Sequence, residues 1–291
     1  MVKKSLTVYG TVHRGRERVA SLGDRITTFE CDMLDGERVK QVTSYVKPDL
    51  VFHLAAQSRV AQSWQDPGRT FMVNVTGTAH LLEALRKIGM NPVVVVAGAA
   101  AVYGNSKDNA PIKEDQGFSP SSPYAVSKVA TDLLAELYWK AHRMKVIRVR
   151  PFNITGPDMR GDACSDFAKG IVEIEKGQRE SLKVGDLDSV RDLTDVRDAI
   201  EALWLIAERG APGTVYNLCS GLGYHIQDIL STLISMSSAS VNVVHNNAKK
   251  RVLEDQFQIG DNSRLRALGW KPRIAIEKTL LDMLNFCRSN Q

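Results

Sequence analysis

No apolar run in the 291-residue chain is long enough to cross a bilayer: the longest, around Val93 to Val102, falls well short of the roughly twenty residues a membrane helix needs. The basic start, Met-Val-Lys-Lys-Ser-Leu, leads into no continuous apolar stretch of the kind a signal peptide carries, so a soluble, cytoplasmic protein is expected. Cysteine is scarce. Cys31, Cys164, Cys219 and Cys287 lie far apart, with no Cys-x-x-Cys pair and no histidine at zinc-ligand spacing; no metal site is expected and a reduced compartment fits best. Internal repeats, low-complexity segments and long blocks of like charge are absent too, which excludes repeat architectures and a disordered chain. The net charge of +5 comes from basic residues spread among acids, so nucleic acid is not an expected partner, and a local pocket for a phosphorylated ligand accounts for them equally well.

What is present is an ordinary globular composition, 43% hydrophobic and 24% charged, with room for one large α/β domain or two closely joined ones. Through the first half, strand-like and helix-like segments alternate, the pattern of a parallel sheet covered on both faces. Thr7 to His13 and Thr27 to Cys31 read as strands, and Asp49 to Ala55 and Pro92 to Ala97 are short apolar runs bounded by breakers, as buried parallel strands should be. Thr76 to Gly89 carries Leu81, Leu82, Leu85 and Ile88 at helical spacing, with Gly89 placed to cap its end. A loop rich in Asn, Asp, Ser and Pro (Asn105 to Pro123) precedes a long helix from Tyr124 to about Arg143 and a further buried strand, Lys145 to Val149. Past Pro151 glycine, charge and short mixed elements dominate, with a helix at Val196 to Arg209, a strand at Val215 to Cys219 and a last helix from Ile276 to Cys287.

Tyr124 and Lys128 lie four residues apart on the long helix and share a face. A lysine ammonium beside a phenol favours the phenolate and lowers a pKa of about 10 toward the range of a working acid or base. Ser-Pro-Tyr-Ala-Val-Ser-Lys is therefore a candidate proton-transfer centre. A surface tyrosine and lysine on any amphipathic helix have the same spacing, so the neighbouring segments decide.

Those segments resemble, in order, the extended short-chain dehydrogenase/reductase (NAD-dependent epimerase/dehydratase) family. The matching pieces are His53-Leu-Ala-Ala-Gln57, Val73-Asn-Val-Thr-Gly-Thr78, Val102-Tyr-Gly104, Arg150-Pro-Phe-Asn-Ile-Thr-Gly-Pro157 and Arg191-Asp-Leu-Thr-Asp-Val-Arg-Asp198. With Tyr216-Asn-Leu-Cys-Ser-Gly221, Arg251-Val-Leu-Glu254 and Gly260 to Trp270, the chain is most similar to the branch of GDP-6-deoxy-4-keto-mannose reductases and GDP-mannose 4,6-dehydratases. The resemblance implies a Rossmann-like, doubly wound parallel α/β sheet. Residues 1–158 would form a dinucleotide-binding domain and 159–291 a smaller α/β substrate-binding part, with 191–221 packing back on the first.

It also implies residue roles. Tyr124 and Lys128 would be catalytic, and both would border the cofactor with Arg14, Arg16, Asp32, Met33, Leu54, Ala55, Ala56, Gln57 and Asn74. Asn153, Lys169, Arg191, Arg251 and Glu254 would bind a nucleotide-sugar, expected to be GDP-linked; arginines suit phosphate through charge-assisted, often bidentate bonds. His13-Arg-Gly-Arg16 has no acid for a free ribose 2′-hydroxyl, so NADP(H) is implied, NAD(H) being the alternative, although a solvated basic turn explains the same residues. A homodimer through the helices Thr76 to Gly89 and Tyr124 to Arg143 is the family's common assembly.

Two departures stand out. No Gly-x-x-Gly-x-x-Gly turn follows a first strand: Met1 to Leu6 runs straight into Thr7-Val-Tyr-Gly-Thr-Val-His, as though a strand-end, turn and helix of roughly twenty residues were missing. Losing a central strand would leave backbone groups unpaired, so either Thr7 to His13 slides into the central position or the sheet splits. Secondly, the family's catalytic Ser or Thr falls on Ala99, and the acids a dehydratase needs fall on Ala100 and Ala101. Elimination of water requires an acid for the leaving hydroxyl, so ketone reduction is favoured over dehydration, a GDP-mannose 4,6-dehydratase or sugar epimerase relative being the alternative. A non-catalytic nucleotide-sugar-binding protein is the rival.

Overall fold

The structure is a computed structural model in which residues 6–13, 19, 23–246 and 256–290 are described. The chain opens with β1 (Tyr9–Val12) and β2 (Thr27–Glu30), a parallel pair in the register Tyr9↔Thr27 to Val12↔Glu30. α1 (Gly36–Val46) begins where the Asp35 side chain accepts from the Arg38 amide at 2.9 Å and ends at Lys47, whose φ of 46° is left-handed. Next come β3 (Leu50–His53), the short helices α2 (Val60–Gln65) and α3 (Pro67–Phe71), a π-helical turn at Met72–Thr76, α4 (Gly77–Lys87) and β4 (Val93–Ala97). α5 (Pro123–His142) leads to β5 (Val146–Pro151). The rest comprises β6 (Asn153–Thr155), α6 (Ala163–Glu175), β7 (Leu182–Val184), β8 (Val190–Asp195), α7 (Val196–Arg209), β9 (Val215–Leu218), β10 (Gly223–His225), α8 (Ile226–Ser235), β11 (Val243–His245), β12 (Phe257–Gln258), α9 (Ser263–Ala267) and α10 (Ile276–Asn290).

The main sheet has the order β3-β4-β5-β9, all parallel. Its pleat explains the valine run of β4. Val94 and Val96 join a core with Val39 of α1 and Leu81, Leu82 and Leu85 of α4, while Val95 joins Ala199, Ala202 and Ile206 of α7 on the other face. This is the Rossmann-like parallel α/β fold. Element ends differ from the sequence reading by one to three residues: α5 begins at Pro123 because Ser122 caps it, and α10 runs on to Asn290.

β1 and β2 form a separate two-stranded sheet, and among the described residues no ladder joins β1 to β3. The described strands are therefore split, and β1 does not occupy the centre. β3 shows the consequence: Leu50, Val51 and Phe52 are only half-buried, whereas Val94, Val95 and Val96 of the adjacent β4 are at most 1% exposed. The small sheet is held by side chains, with Phe29 and Met33 packed on the α1–α4 core and Phe29 in ring contact with Tyr9 and Tyr45.

Beyond β5 a second core forms from α6, α8 and α10 around Phe167, Ile171, Leu193, Leu230, Leu233, Leu280 and Leu284. β8 is its hub strand: β10 pairs with it antiparallel, and β12 and β6 pair with it parallel. β9 leaves this region and completes the main sheet beside β5. Among the described residues no helix is long and apolar enough to cross a membrane, and no cluster of potential metal ligands occurs.

Candidate active site

The N-terminus of α5 is fixed by local sequence. Ser122 accepts from the Ala125 amide at 3.1 Å, and Pro123 supplies a first-turn residue that needs no amide partner. Tyr124 follows, half-buried, and Lys128 lies one turn on, 5% exposed. The Lys128 ammonium donates to the Ala97 carbonyl at the end of β4, at 2.7 Å. Burial pushes the Tyr124 phenol up to about 12 and the Lys128 ammonium down to about 8. The expectation that lysine lowers the tyrosine is corrected: desolvation governs both groups, and Ala97 holds the ammonium. A phenol that stays protonated is suited to donating a proton.

Behind this pair stands Asn74, 1% exposed, in the π-helical turn; such turns often occur at functional sites. Its Oδ1 accepts from the Gln57 amide at 2.8 Å, and its Nδ2 donates to the Gln57 carbonyl at 3.0 Å and to Ser127 Oγ at 2.9 Å. Ser127 in turn donates to the Tyr124 carbonyl at 2.7 Å. One amide therefore ties the loop after β3 to the helix carrying Tyr124 and Lys128. His53, at the end of β3, bonds Thr78 Oγ1 at 2.9 Å; burial, and then the Lys128 charge, push its imidazole down to about 4.

The turn after β4 carries Ala99, Ala100 and Ala101, with no side-chain donor, and Ala99 is 7% exposed. Tyr103 does not face this space. Its hydroxyl donates to Asn217 Oδ1 at 2.8 Å and accepts from Arg150 at 2.7 Å, inside a buried network in which Arg150 also clasps Asp132 of α5. Gly104, at φ 67°, is required because a Cβ would collide with the Ser119 carbonyl.

Leu54 and Ala55 are exposed and Ala56 and Gln57 half-buried, just past the carboxyl end of β3, where open α/β sheets bind ligands. Asp32 lies past β2; it accepts from the Leu34 amide at 3.0 Å and has His13 at 3.5 Å and Arg69 at 3.9 Å. Met33 packs against Gly77, and its carbonyl is 2.8 Å from His80 Nδ1. Asn153 and Arg191 each bond the main chain of β8: Asn153 Nδ2 donates to the Asp192 carbonyl at 3.2 Å, and Arg191 donates to the Val190 carbonyl at 3.0 Å. Lys169 is elsewhere, on the exposed side of α6, 3.7 Å from Glu173. Arg14, Arg16, Arg251 and Glu254 lie outside the described residues. Ser127 was not anticipated as part of the site; its signal was its place inside the Tyr-Ala-Val-Ser-Lys segment itself.

The model of the GDP-mannose 4,6 dehydratase family matches residues 1–283. The chain belongs to that family. It is 34% identical over 242 residues to the GDP-6-deoxy-D-mannose reductase of Pseudomonas aeruginosa, covering 82% of this chain and 80% of the relative. Against a GDP-mannose 4,6-dehydratase of Vibrio cholerae it is 26% identical over 286 residues, covering 87% and 76%. The solved structure of RMD from Pseudomonas aeruginosa complexed with NADPH superposes with a TM-score of 0.87 at 30% identity, covering 98% of this chain and 100% of that one. The NAD complex of UDP-glucose 4-epimerase from Thermus thermophilus shares the fold, with a TM-score of 0.86 at 24% identity and coverage of 98% and 100%.

Proposed function

We propose that this member of the GDP-mannose dehydratase family is an NADP(H)-dependent reductase acting on a GDP-linked 4-keto-6-deoxy sugar. One observation carries the reading: a half-buried Tyr124 one turn before buried Lys128, on a helix tied through Ser127 and Asn74 to the loop after β3. The NADPH-bound relative and the 34% identical reductase support the cofactor and substrate class.

The residues present fit the nicotinamide half of such a cofactor, since Gln57 is tied through Asn74 and Ser127 to the helix that carries Tyr124 and Lys128, and Leu54 and Ala55 lie exposed at the strand end. For the pyrophosphate no glycine-rich turn occurs among the described residues, and Arg14 and Arg16 are the candidates for the 2′-phosphate. The nicotinamide, when bound, supplies the hydride. Tyr124 gives its phenolic proton to the C4 oxygen as that carbon is reduced, so the ketone gains a hydride and a proton and becomes an alcohol. Lys128 would orient the bound nicotinamide ribose, and the phenolate is reprotonated from solvent. Asn153 and Arg191, with Arg251 and Glu254, would hold the pyrophosphate and nucleotide.

Turnover of NADPH with the keto-sugar, followed by loss of nicotinamide absorbance, tests this; a rate no higher than that of Tyr124→Phe would refute it. The second reading, binding without turnover, is favoured by Ala99 and the split sheet. GDP-mannose binding without NADPH binding would support it. A homodimer is proposed from the exposed Val126, Leu133 and Leu137 of α5 and Trp64 of α2, with light scattering as the test.

A further inference from the structure

Asp192 is fully buried, and among the described residues its carboxylate has no cationic partner. All four of its bonds come from neutral donors. Oδ1 accepts from the Ser220 amide at 2.8 Å and the Ser220 hydroxyl at 2.7 Å, and Oδ2 from the Gly221 amide at 2.9 Å and the Gly260 amide at 3.2 Å. Burial pushes this carboxyl up to about 6 even against those bonds. A buried charge without a counter-ion is expensive, and a well-packed apolar residue usually serves stability better. Its presence therefore points to a task other than stability.

The topology shows what the carboxylate joins. Ser220 and Gly221 lie between β9 and β10, and Gly260 lies between β12 and α9; both loops hang on this one side chain. Asn262 reinforces the junction by donating to the Cys219 and Ser220 carbonyls at 3.1 and 2.9 Å. Successive side chains on a strand point to opposite faces, so anchoring Asp192 on one face of β8 sets the direction of Arg191 on the other. Arg191 is paired across the ladder with Tyr224 of β10 and Gln258 of β12. The main chain of Asp192 acts as well, since its carbonyl accepts from Asn153 Nδ2 at 3.2 Å. Asn153, Arg191 and the two loops thus meet at a single residue.

We infer that Asp192 is a positioning residue of the nucleotide-sugar site, holding Asn153 and the Arg191 strand in the arrangement that receives a pyrophosphate. This rests on the proposed reading of Asn153 and Arg191 as ligands of that group. Asp192→Asn keeps the shape but turns an amide toward backbone donors, so the Ser220 amide, or else those of Gly221 and Gly260, loses its acceptor and the loops shift. A displacement of about 1 Å at a binding group is enough to lower function by up to about a hundredfold.

The test titrates GDP-mannose by calorimetry into the full chain, Asp192→Asn and Ser220→Ala, with near-UV circular dichroism as the check of folding and 31P spectra of the saturated complexes. The expected result is a folded Asp192→Asn with affinity roughly ten- to a hundredfold weaker and with the pyrophosphate resonances displaced from their wild-type positions at saturation. Ser220→Ala, which removes one of the four bonds, should lose roughly two- to tenfold and show a smaller displacement. A global loss of stability would not move the spectrum of a saturated complex. Wild-type affinity and wild-type 31P positions in a folded Asp192→Asn would overturn the inference alone. Should Asp192→Asn not fold, unchanged affinity and spectrum in Ser220→Ala would do the same. Absence of GDP-mannose binding by the wild-type chain would overturn both this inference and the proposed function.

Discussion

Replacing Asn74 by alanine should both destabilise the protein and loosen its candidate active site. The side chain makes three bonds, accepting from the Gln57 amide and donating to the Gln57 carbonyl and Ser127 Oγ. Leaving a buried donor unpaired costs about 1–3 kcal/mol, and each of the other two neutral bonds contributes about 0.5–1.5 kcal/mol, so Asn74→Ala should lose about 2–6 kcal/mol. Urea unfolding at 25 °C measures this. Asn74→Asp separates hydrogen bonding from volume, because it is isosteric but offers an acceptor to the Gln57 carbonyl. Burial would favour its neutral form, raising its folded-state pKa above the unfolded value of about 3.9. Stability relative to wild type would then be greatest below that unfolded value and would be lost as pH rises through the folded one. A loss below about 1 kcal/mol for Asn74→Ala, or a pH-independent difference for Asn74→Asp, would refute the account of Asn74 as the tie between the β3 loop and α5.

Four further outcomes are expected. Lys128→Met should abolish turnover yet leave the protein about 1 kcal/mol more stable at pH 7, because burial holds the ammonium below its ordinary value at a cost that slightly exceeds the bond to Ala97; the gain, read by denaturation, should shrink as pH rises from about 8 toward 10.5. Asp132→Ala should cost about 3–5 kcal/mol by stranding Arg150 and leaving Arg148 with Glu136 alone, since both arginines bond that carboxylate at 2.8–3.0 Å; a change of surface-pair size in a urea melt would contradict this. Ala99→Ser should raise NADPH-dependent turnover roughly a hundred- to a thousandfold by supplying a preorganised donor, and an unchanged rate would mean that the missing hydroxyl is not what limits the chain. In hydrogen exchange, the amides of β1 and β2 should exchange well before those of β4 and β5, since a two-stranded sheet is marginal alone; equal protection would show that the split sheet unfolds as one unit.

Much of the fold was legible because its elements carry strong local patterns. The valine run of β4, the leucine spacing of α4 and the Ser-Pro entry to α5 each state their structure within a few residues. The short strands β6, β7, β10, β11 and β12 were not anticipated, since two or three residues carry no periodicity and owe their pairing to partners distant in sequence. Of the site, Gln57 and Asn74 are tied to the helix of Tyr124 and Lys128, whereas Lys169 stands apart on α6 beside Glu173. The environment of the tyrosine was misread, because spacing along a helix shows that two side chains share a face but not that the ammonium is already engaged by Ala97.

The sequence by itself determined that the chain is a parallel α/β protein with a Tyr–Lys pair on one helix, that no Gly-x-x-Gly-x-x-Gly turn follows its first strand and that Ala99, Ala100 and Ala101 carry no side-chain donor. Those are properties of composition, spacing and single positions, which need no third dimension. Only the tertiary structure decided how the sheet divides, which polar group meets Lys128, and that Asn74 and Asp192 each bind several separate segments together. Hydrogen-bond partners and desolvation depend on residues brought close from far along the chain, and no local pattern encodes them.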